Sequence, residues 1–495
     1  MKFIFIGIII FSLFFASWYV LNGDIYFTAD IGRDFRILQE VSQKKIIFIG
    51  PRASGDMFHG PGWPYLNFPF YLLGNGNPVV VGWGWVFFVF IAGVIAFYVA
   101  KNLFGEIAGW IYSAMVTLYN AFYARGMINP NAVLILMPLF FFSFVKYYQT
   151  LKPKFLFLHL ATVFIMFQSE LMSVPYILLS FSAIIFRIVK KNKLKHLSFF
   201  LLLFFFVANF VIFDFRHDHI LLNRALAFTS PKIQNTIFNY GGQIENRVRL
   251  AFTGTEIVRR DPGGRNLVLF LIMLSLIALQ IKNKKHKTIY FSFLYFYFGF
   301  FILSFVNKGQ ILYFHLFPVF PLIFLMLVSF INSKYKKIAL LILLIVFALN
   351  IQTAFQDISD SKQFIGNDIY SWKFLSNMSS KVFKGNEKSF GYFIYTPDTV
   401  GHEVNYAMSY ETKINTKKVY PYEKKSVTYL IIAPPPPNNP YMKEDWWIIN
   451  KVHLNQSPVS IYQFSNGYKI EKLLLTDEEI KVKPEQNINL GIFFR

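Results

Sequence analysis

Long apolar runs separated by short polar segments fill the chain from Lys2 to Gln352. Runs of roughly 17–25 apolar residues are long enough to cross a bilayer as α-helices, and soluble proteins do not repeat them in this way. The pattern predicts about 11 transmembrane helices. They lie at 3–21, 79–100, 107–124, 131–146, 155–168, 173–189, 197–213, 266–281, 288–306, 312–331 and 337–353.

Lysine-rich segments alternate with lysine-poor segments between these runs. The rich segments lie at 146–154, 190–195, 282–287 and 334–337, whereas 124–131 holds only Arg125 and 307–310 holds only Lys308. Because cytoplasmic loops carry the excess of basic residues, the N-terminus is predicted to be cytoplasmic. The protein is then a multi-pass protein of the plasma or inner membrane, with long outer loops at 22–78 and 214–265.

The pattern changes after about residue 357 to short alternating runs. Residues 426–433, 459–464 and 468–475 are predicted strands, and Ser465-Asn466-Gly467 between the last two is a hairpin signal. The predicted fold class is therefore an all-α polytopic membrane bundle over 1–356, followed by an extracytoplasmic α/β soluble domain over 357–495.

Composition narrows the choice of function. Only 15% of residues are charged, against about 25% in soluble proteins, and 20% are aromatic. The formal net charge of +22 follows the loops between helices rather than a separate basic surface, so we expect no nucleic-acid partner. The chain has no cysteine, and no Walker loop, Rossmann fingerprint, His-Glu-x-x-His or Gly-x-Ser-x-Gly motif is evident.

The first outer loop contains the most informative segment, which begins Thr28-Ala29-Asp30-Ile31-Gly32-Arg33-Asp34-Phe35. Apolar residues recur at helical spacing and predict an amphipathic helix along the outer membrane surface. Asp30, Arg33 and Asp34 share its polar face. A carboxylate can accept a proton from a hydroxyl, and an arginine can bind phosphate bidentately. The simpler interpretation, which the pattern alone favours, is that Asp30 caps the helix and Arg33 pairs locally.

Further polar residues fall at the same predicted height. Gly50-Pro51-Arg52 and His59-Gly60-Pro61 form a shaped loop in which His59 could act as acid, base, phosphate donor or metal ligand, although a lone histidine is more often none of these. Polar groups at membrane depth are often functional. We interpret Arg125, Glu170 and Asp214 in this way, and Asp218, Arg259 and Arg260 as solvated loop residues.

A first helix followed at once by an acidic outer loop resembles the GT-C superfamily of membrane glycosyltransferases. The likeness is to the protein O-mannosyltransferases and the lipid A aminoarabinose transferase (glycosyltransferase family 39-like), whose loop reads Asp-Glu-x-x-Tyr before a Lys-Pro-Pro turn. Asp30 falls at the catalytic aspartate and His59-Gly60-Pro61 at the turn. Ile31 replaces the glutamate and the lysine of the turn is missing. The likeness covers 1–353 in topology and 28–72 in motif.

The resemblance implies transfer of a hexose or pentose from a polyprenyl-phosphate donor to a lipid, glycan or protein acceptor on the extracytoplasmic face, with inversion. The implied catalytic residues are Asp30, as general base, and Asp34. Donor phosphate is assigned to Arg33, Arg52, His59 and Arg125, and substrate binding to Asn129, Glu170 and Asp214. A requirement for a divalent metal stays open, since only His59 offers a ligand at the turn.

Two alternatives come from other classes of protein. A transporter or flippase of lipid-linked sugars would need charges at mid-membrane and paired broken helices, and the sequence has almost no charges inside the predicted spans. A non-catalytic membrane scaffold would bind a partner through its outer domain and would not depend on Asp30.

Overall fold

The computed structural model describes residues 2–43, 45–53, 57–229, 240–261, 264–281, 286–306, 311–385, 387–397, 400–435, 444–485 and 488. Fifteen helix labels cover the predicted membrane region: α1 Lys2–Leu21, α2 Ala29–Ser42, α3 Gly62–Leu73, α4 Pro78–Phe104, α5 Glu106–Ala121, α6 Pro130–Thr150, α7 Pro153–Ser169, α8 Val174–Lys190, α9 Leu203–Arg216, α10 Ile220–Thr229, α11 Tyr240–Thr253, α12 Arg265–Gln280, α13 Lys287–Leu303, α14 Val319–Ser329 and α15 Lys336–Phe364. Short 3-10 helices precede or follow several of them, at Leu171–Ser173, Leu194–Leu202, Ser304–Val306, Tyr313–Leu316 and Phe330–Asn332.

The remaining elements are α16 Trp372–Phe383, β1 Ser389–Tyr395, α17 His402–Ile414, β2 Lys418–Pro421, β3 Val427–Ile432, α18 Glu444–Trp447, β4 Ser460–Gln463, β5 Lys469–Leu474 and α19 Asp477–Lys481. A π-helical turn at Ile448–Val452 follows α18.

The predicted transmembrane helices are present, and the chain is a multi-pass membrane protein. Within the described residues, eight helices are long and apolar enough to cross a membrane. The other three predicted spans are shorter helices, α5, α7 and α12, of 16, 17 and 16 residues. The basic residues at 282–285 and the segment 307–310, which entered the topology prediction, lie outside the described residues.

The chain divides into two compact units. The helical unit comprises Met1–Trp18, Ile46–Asn67 and Trp83–Ser359, and the sheet unit comprises Tyr19–Lys45, Phe68–Gly82 and Asp360–Arg495. The sheet unit thus contains the start of the first outer loop as well as the C-terminal part of the chain.

Buried aromatic helices form the core of the helical unit. The span Tyr313–Asn332, which includes α14, is 94% buried, and α6 is 78% buried over its most apolar window. Phe296 of α13 packs edge-to-face on Phe140 and Phe144 of α6, with ring centroids 5.4 and 4.8 Å apart. By contrast, Leu194–Arg216 is only 11% buried, so its apolar side chains are left for lipid to cover.

The sheet unit is built on a sheet that has five strands in the described part of the chain, in the order β2-β1-β3-β5-β4. β1 lies parallel to β2 and β3, and β5 lies antiparallel to β3 and β4. Phe393, Leu430 and Leu473 fill its core. The predicted strands 426–433, 459–464 and 468–475 are confirmed as β3, β4 and β5, and Gly467 takes the left-handed conformation that the hairpin turn requires (φ 93°).

The segment 24–28 is hydrogen-bonded to the C-terminal part of the sheet unit through Asp24. Its carboxylate accepts hydrogen bonds from the Ser371 hydroxyl (2.6 Å) and from the amides of Ile25 (2.8 Å), Lys373 (3.0 Å) and Gly366 (3.1 Å). Asp24 is fully buried, and burial raises the pKa of its carboxyl group. Residues 24–28 are therefore held in place before α2 begins.

The predicted amphipathic helix is present as α2, and its apolar face packs against protein. Its apolar residues Ile31, Phe35 and Leu38 are buried by protein, and Phe35 packs on Tyr406 of α17 (centroids 5.1 Å apart). The amphipathic pattern fits this packing because a helix buries an apolar stripe in the same way against protein or lipid.

Candidate functional site

The acidic motif forms a three-residue ion cluster on the first two turns of α2, in the sheet unit. The Arg33 guanidinium lies 2.8 Å from the Asp30 carboxylate and 3.1 Å from that of Asp34. Asp30 is 62% exposed, whereas Arg33 and Asp34 are 17% and 8% exposed. The predicted sharing of one face is confirmed, and Asp30 is the most exposed member of the cluster.

Asp30 is not the cap of this helix. Thr28 is the N-cap residue, and its hydroxyl accepts from the amide of Ile31 at 3.5 Å. Since Thr28 caps the helix, the capping explanation for Asp30 fails. Local pairing with Arg33 remains the structural explanation for its charge.

Gly32 in the middle of the motif has a packing role. A Cβ atom at this position would lie 2.5 Å from the backbone nitrogen of Glu403 and 2.7 Å from its Cα. Only glycine lets α2 approach the backbone of α17 this closely. The glycine of the Asp-x-Gly-Arg-Asp motif is therefore explained by the packing of two helices rather than by chemistry.

The glycine- and proline-rich loop belongs to the helical unit. Its two sides pair as antiparallel backbone, with Gly50 donating to the His59 carbonyl (2.8 Å) and His59 donating to the Pro51 carbonyl (2.9 Å). A Cβ on Gly60 would lie 2.7 Å from the Cα of Gln168, so this loop packs tightly against the end of α7. Residues 54–56 at its tip lie outside the described residues.

This packing buries His59 beside Glu170. The Nδ1 atom of His59 accepts from the Leu171 amide at 3.2 Å and lies 3.5 Å from Glu170 Oε1. Because an imidazole nitrogen that accepts a hydrogen bond carries no proton, the proton of the neutral ring is on Nε2. Nε2 is therefore the ring nitrogen of His59 that can donate a hydrogen bond.

Asn129 completes this group, which we call the His59–Glu170 cluster (His59, Asn129 and Glu170). The Asn129 amide donates to Glu170 Oε2 at 2.6 Å, and the same carboxylate accepts from the Met172 amide at 3.0 Å. Glu170 is 3% exposed and caps the 3-10 helix Leu171–Ser173. Three sequence-predicted residues from separate loops therefore meet in one place.

The other predicted residues of the helical unit are Arg52, Arg125 and Asp214. Arg52 is exposed, and Arg125 is half-buried in the turn after α5. Asp214 accepts from the amides of Leu221 (2.6 Å) and Leu222 (3.3 Å), which ties the end of α9 to the start of α10. This geometry gives Asp214 a structural role in the helical unit.

A second polar cluster, missed from the sequence, surrounds Arg259. Its guanidinium donates to the hydroxyls of Tyr123 (2.5 Å) and Tyr313 (2.8 Å) and to Glu256 (2.7 Å). Tyr119 Oη lies 3.3 Å from the same Glu256 oxygen. Arg259 is only 18% exposed, so its interpretation as a solvated loop residue is wrong.

We call this group the Arg259 cluster (Tyr119, Tyr123, Glu256, Arg259 and Tyr313), and its electrostatics favour the charged form of Arg259. Burial acts to lower the pKa of Arg259, but the three tyrosines and Glu256 outweigh it and leave the pKa raised. The sequence signal was the pairing of Tyr119 with Tyr123 at i, i+4 and of Glu256 with Arg259 at i, i+3. Pairs of this kind are common in helices and turns. The folded chain places the Tyr119–Tyr123 pair next to the Glu256–Arg259 pair.

Side chains that could bind a metal ion do not form a complete site in the described part of the chain. The described residues include no group of three or more His, Asp or Glu side chains placed to bind a metal ion. His59 and Glu170 supply two such side chains.

The described residues form a polytopic helical membrane unit and an α/β sheet unit. Two crystal structures of ArnT from Cupriavidus metallidurans share this fold. The structure of ArnT bound to undecaprenyl phosphate is 9% identical and superposes with a TM-score of 0.57, and ArnT in the apo state is 10% identical with a TM-score of 0.58. Each comparison covers 95% of this chain and 97% of ArnT.

No family model and no curated protein sequence matches the chain. At this level of identity the likeness to ArnT is one of fold.

Proposed function

We propose that this protein is a membrane glycosyltransferase that moves a sugar from a polyprenyl-phosphate donor to an acceptor on the extracytoplasmic face. The observation that carries the proposal is the fold shared along nearly the whole chain with ArnT, a protein whose crystal structure contains undecaprenyl phosphate. The acidic motif on α2 adds the chemistry. The acceptor is a lipid, glycan or protein bearing a hydroxyl group.

Asp30 is the proposed general base. A base must reach the hydroxyl whose proton it takes, and Asp30 is the exposed carboxylate of its cluster. Arg33 is held by both carboxylates, so Asp34 orients Arg33, which in turn orients Asp30. As the hydroxyl oxygen attacks the anomeric carbon from the side opposite the phosphate, its proton passes to Asp30 and the bond to the phosphate oxygen breaks. This displacement inverts the anomeric centre.

The departing polyprenyl phosphate gains negative charge, and cations or donors positioned near it lower the barrier. Arg33, Arg52 and Arg125 remain the proposed donor-phosphate ligands, together with His59 as a hydrogen-bond donor through Nε2. To these we add Arg259, whose guanidinium and neighbouring tyrosine hydroxyls offer several donors in one buried place. Asn129 and Glu170 position the His59 loop, and Asp214 supports the second outer loop.

The test is transfer of radiolabelled sugar from polyprenyl-phosphate donors to membrane acceptors, comparing wild type with Asp30→Asn at matched expression. We expect a loss of about 10²–10⁴-fold, the usual contribution of a positioned base. The matched control is Asp218→Asn, the same exchange in an exposed turn whose positive φ (51°) asparagine also tolerates. Equal transfer by wild type and Asp30→Asn would remove Asp30 from the role of base.

A further inference from the structure

A groove opens on the surface of the helical unit, away from both polar clusters. Its lining comes from the C-terminal half of α6, the C-terminal half of α8 and the N-terminal half of α13, and its volume is about 590 Å³. Cavities of a few hundred to a thousand cubic ångströms are the usual size for a small-molecule or lipid-chain ligand. The groove lies at the opposite end of α6 from Asn129, and a helix of 21 residues is about 30 Å long. It is therefore separate from the His59–Glu170 cluster.

The walls of the groove are largely aromatic, and two of its hydroxyl groups are paired within the protein. Phe186 and Phe291, which line it, are 60% and 50% exposed. Ser182 and Tyr295 bond to each other at 3.0 Å, and both hydroxyls lie within 3.0 Å of the Leu179 carbonyl oxygen. Because the hydroxyls of Ser182 and Tyr295 are satisfied, an apolar chain can cover them without leaving their hydrogen bonds unmet.

The mouth of the groove is basic. Lys287 is exposed and lines the groove. The Arg187 guanidinium lies over the ring of Tyr148, another lining residue, at 4.9 Å, and its Nε atom donates to the Tyr148 carbonyl at 3.1 Å. Lys190 lies 5.5 Å from the ring centroid of Phe186. None of the described residues that line the groove is acidic.

We propose that this groove binds an acidic glycerophospholipid, with an acyl chain between the aromatic walls and the phosphate between Arg187 and Lys287. The helix ends that form the mouth lead into the lysine-rich segments predicted to face the cytoplasm. Anionic lipids are concentrated in the cytoplasmic leaflet, and basic pockets between transmembrane helices on that side bind their headgroups. The positive charge at the mouth thus favours an anionic headgroup, and the apolar interior favours an acyl chain.

Native mass spectrometry of the detergent-solubilised full-length protein tests this site. Phosphatidylglycerol and phosphatidylcholine of the same chain length are offered at equal concentration, and wild type is expected to retain phosphatidylglycerol preferentially. The Arg187→Gln/Lys287→Gln variant should lose this preference, by roughly fivefold for each cation removed. The double variant could fold poorly because it loses the contacts of Arg187 with Tyr148. In that case Lys287→Gln alone, which changes an exposed residue, provides the same test.

The matched control is Lys334→Gln/Lys336→Gln, which removes two exposed lysines from another segment predicted to lie on the same side. It should retain the wild-type preference for phosphatidylglycerol. A preference that survives Lys287→Gln and the double variant, or one that the control abolishes equally, would overturn the proposal. So would displacement of phosphatidylglycerol by an equimolar polyprenyl phosphate, since the groove would then belong to the sugar donor. Sugar transfer is not part of the readout, so failure here leaves the proposed function intact.

Discussion

At the scale of single residues, Gly32 shows how a chemical motif can contain a packing residue. Replacing a helical glycine by alanine normally gains about 0.8–1.0 kcal/mol of helix propensity. Here the new methyl group would meet backbone atoms of Glu403 at 2.5–2.7 Å, which cannot move as a flexible side chain can. Overpacking of this kind costs about 1–3 kcal/mol and should exceed the gain.

We therefore expect Gly32→Ala to lower the thermal unfolding temperature of the detergent-solubilised protein, measured by intrinsic tryptophan fluorescence. Gly7→Ala, the same exchange in α1 with no atom within 4 Å of the new Cβ, should leave the unfolding temperature unchanged or raise it. An unchanged unfolding temperature for Gly32→Ala would show that α2 and α17 are not in close contact.

Arg259 provides a test of phosphate recognition at a single position. A planar guanidinium can make several directed hydrogen bonds at once, which a lysine ammonium cannot reproduce. We expect Arg259→Lys to raise the KM for the polyprenyl-phosphate donor about tenfold or more, corresponding to the loss of one or two charged hydrogen bonds. The measurement is the dependence of the transfer rate on donor concentration.

The adjacent residue supplies the control for this experiment. Arg260 is 53% exposed and pairs with Asp357, an interaction that a lysine can retain. Arg260→Lys should therefore leave the donor KM near the wild-type value. If both variants behave alike, the Arg259 cluster has only a structural role.

At the scale of elements, the Asp24 side chain links the segment before α2 to the loop before α16. Removing its carboxylate in Asp24→Ala leaves three backbone amides and the Ser371 hydroxyl without this acceptor inside the protein. Leaving buried donors unsatisfied costs about 1–3 kcal/mol, and we expect a loss of about 3 kcal/mol of unfolding free energy. Urea unfolding followed by tryptophan fluorescence measures it, with exposed Asp445→Ala as the control.

The same variant should change the pH dependence of stability. Burial raises the pKa of Asp24 in the folded protein above its ordinary value of about 3.9, so the folded state binds its proton more tightly than the unfolded state. The contribution of Asp24 is then largest at acid pH and declines as the pH rises through the folded pKa. The stability difference between wild type and Asp24→Ala should accordingly narrow with rising pH, and a difference that widens would contradict this assignment.

At the scale of the whole molecule, local patterns predicted local features well. Apolar runs located the membrane helices because a helix that faces lipid must be apolar along its own length. The Ser465-Asn466-Gly467 turn located the β4–β5 hairpin for a similar reason, since its strands are neighbours in sequence. The helix at 29–42 was also predicted, but not the protein surface that covers its apolar face.

Features that depend on contacts between distant parts of the chain could not be predicted from local sequence patterns. The parallel pairing of β1 with β2 and β3 joins residues that are not adjacent in sequence, and neither β1 nor β2 was predicted. The Arg259 cluster likewise joins Tyr119 and Tyr313, which are separated by most of the membrane region. A single sequence gives no means of detecting such pairs, whereas His59, Asn129 and Glu170 were found because each stood out as polar in an apolar context.

The composition of the sheet unit leads to a prediction about its folding. The predicted soluble domain at 357–495 lacks Phe27 and Phe35, which are fully buried against Trp372 and Tyr406. Burying an aromatic side chain contributes about 1.5–3 kcal/mol, so losing both removes a large part of the stability of a small domain. We expect the isolated fragment 357–495 to unfold without a cooperative transition, as followed by circular dichroism on heating.

Adding a synthetic peptide of residues 22–45 should restore a cooperative transition to that fragment, because the peptide supplies both phenylalanines and the Asp24 carboxylate. A peptide with Asp24→Ala and Phe35→Ala is the control and should have no effect. Cooperative unfolding of the fragment alone would instead mean that the boundary predicted at residue 357 marks an independently folding domain. In that case α2, with its acidic motif, would be held by the C-terminal domain without being needed for its folding.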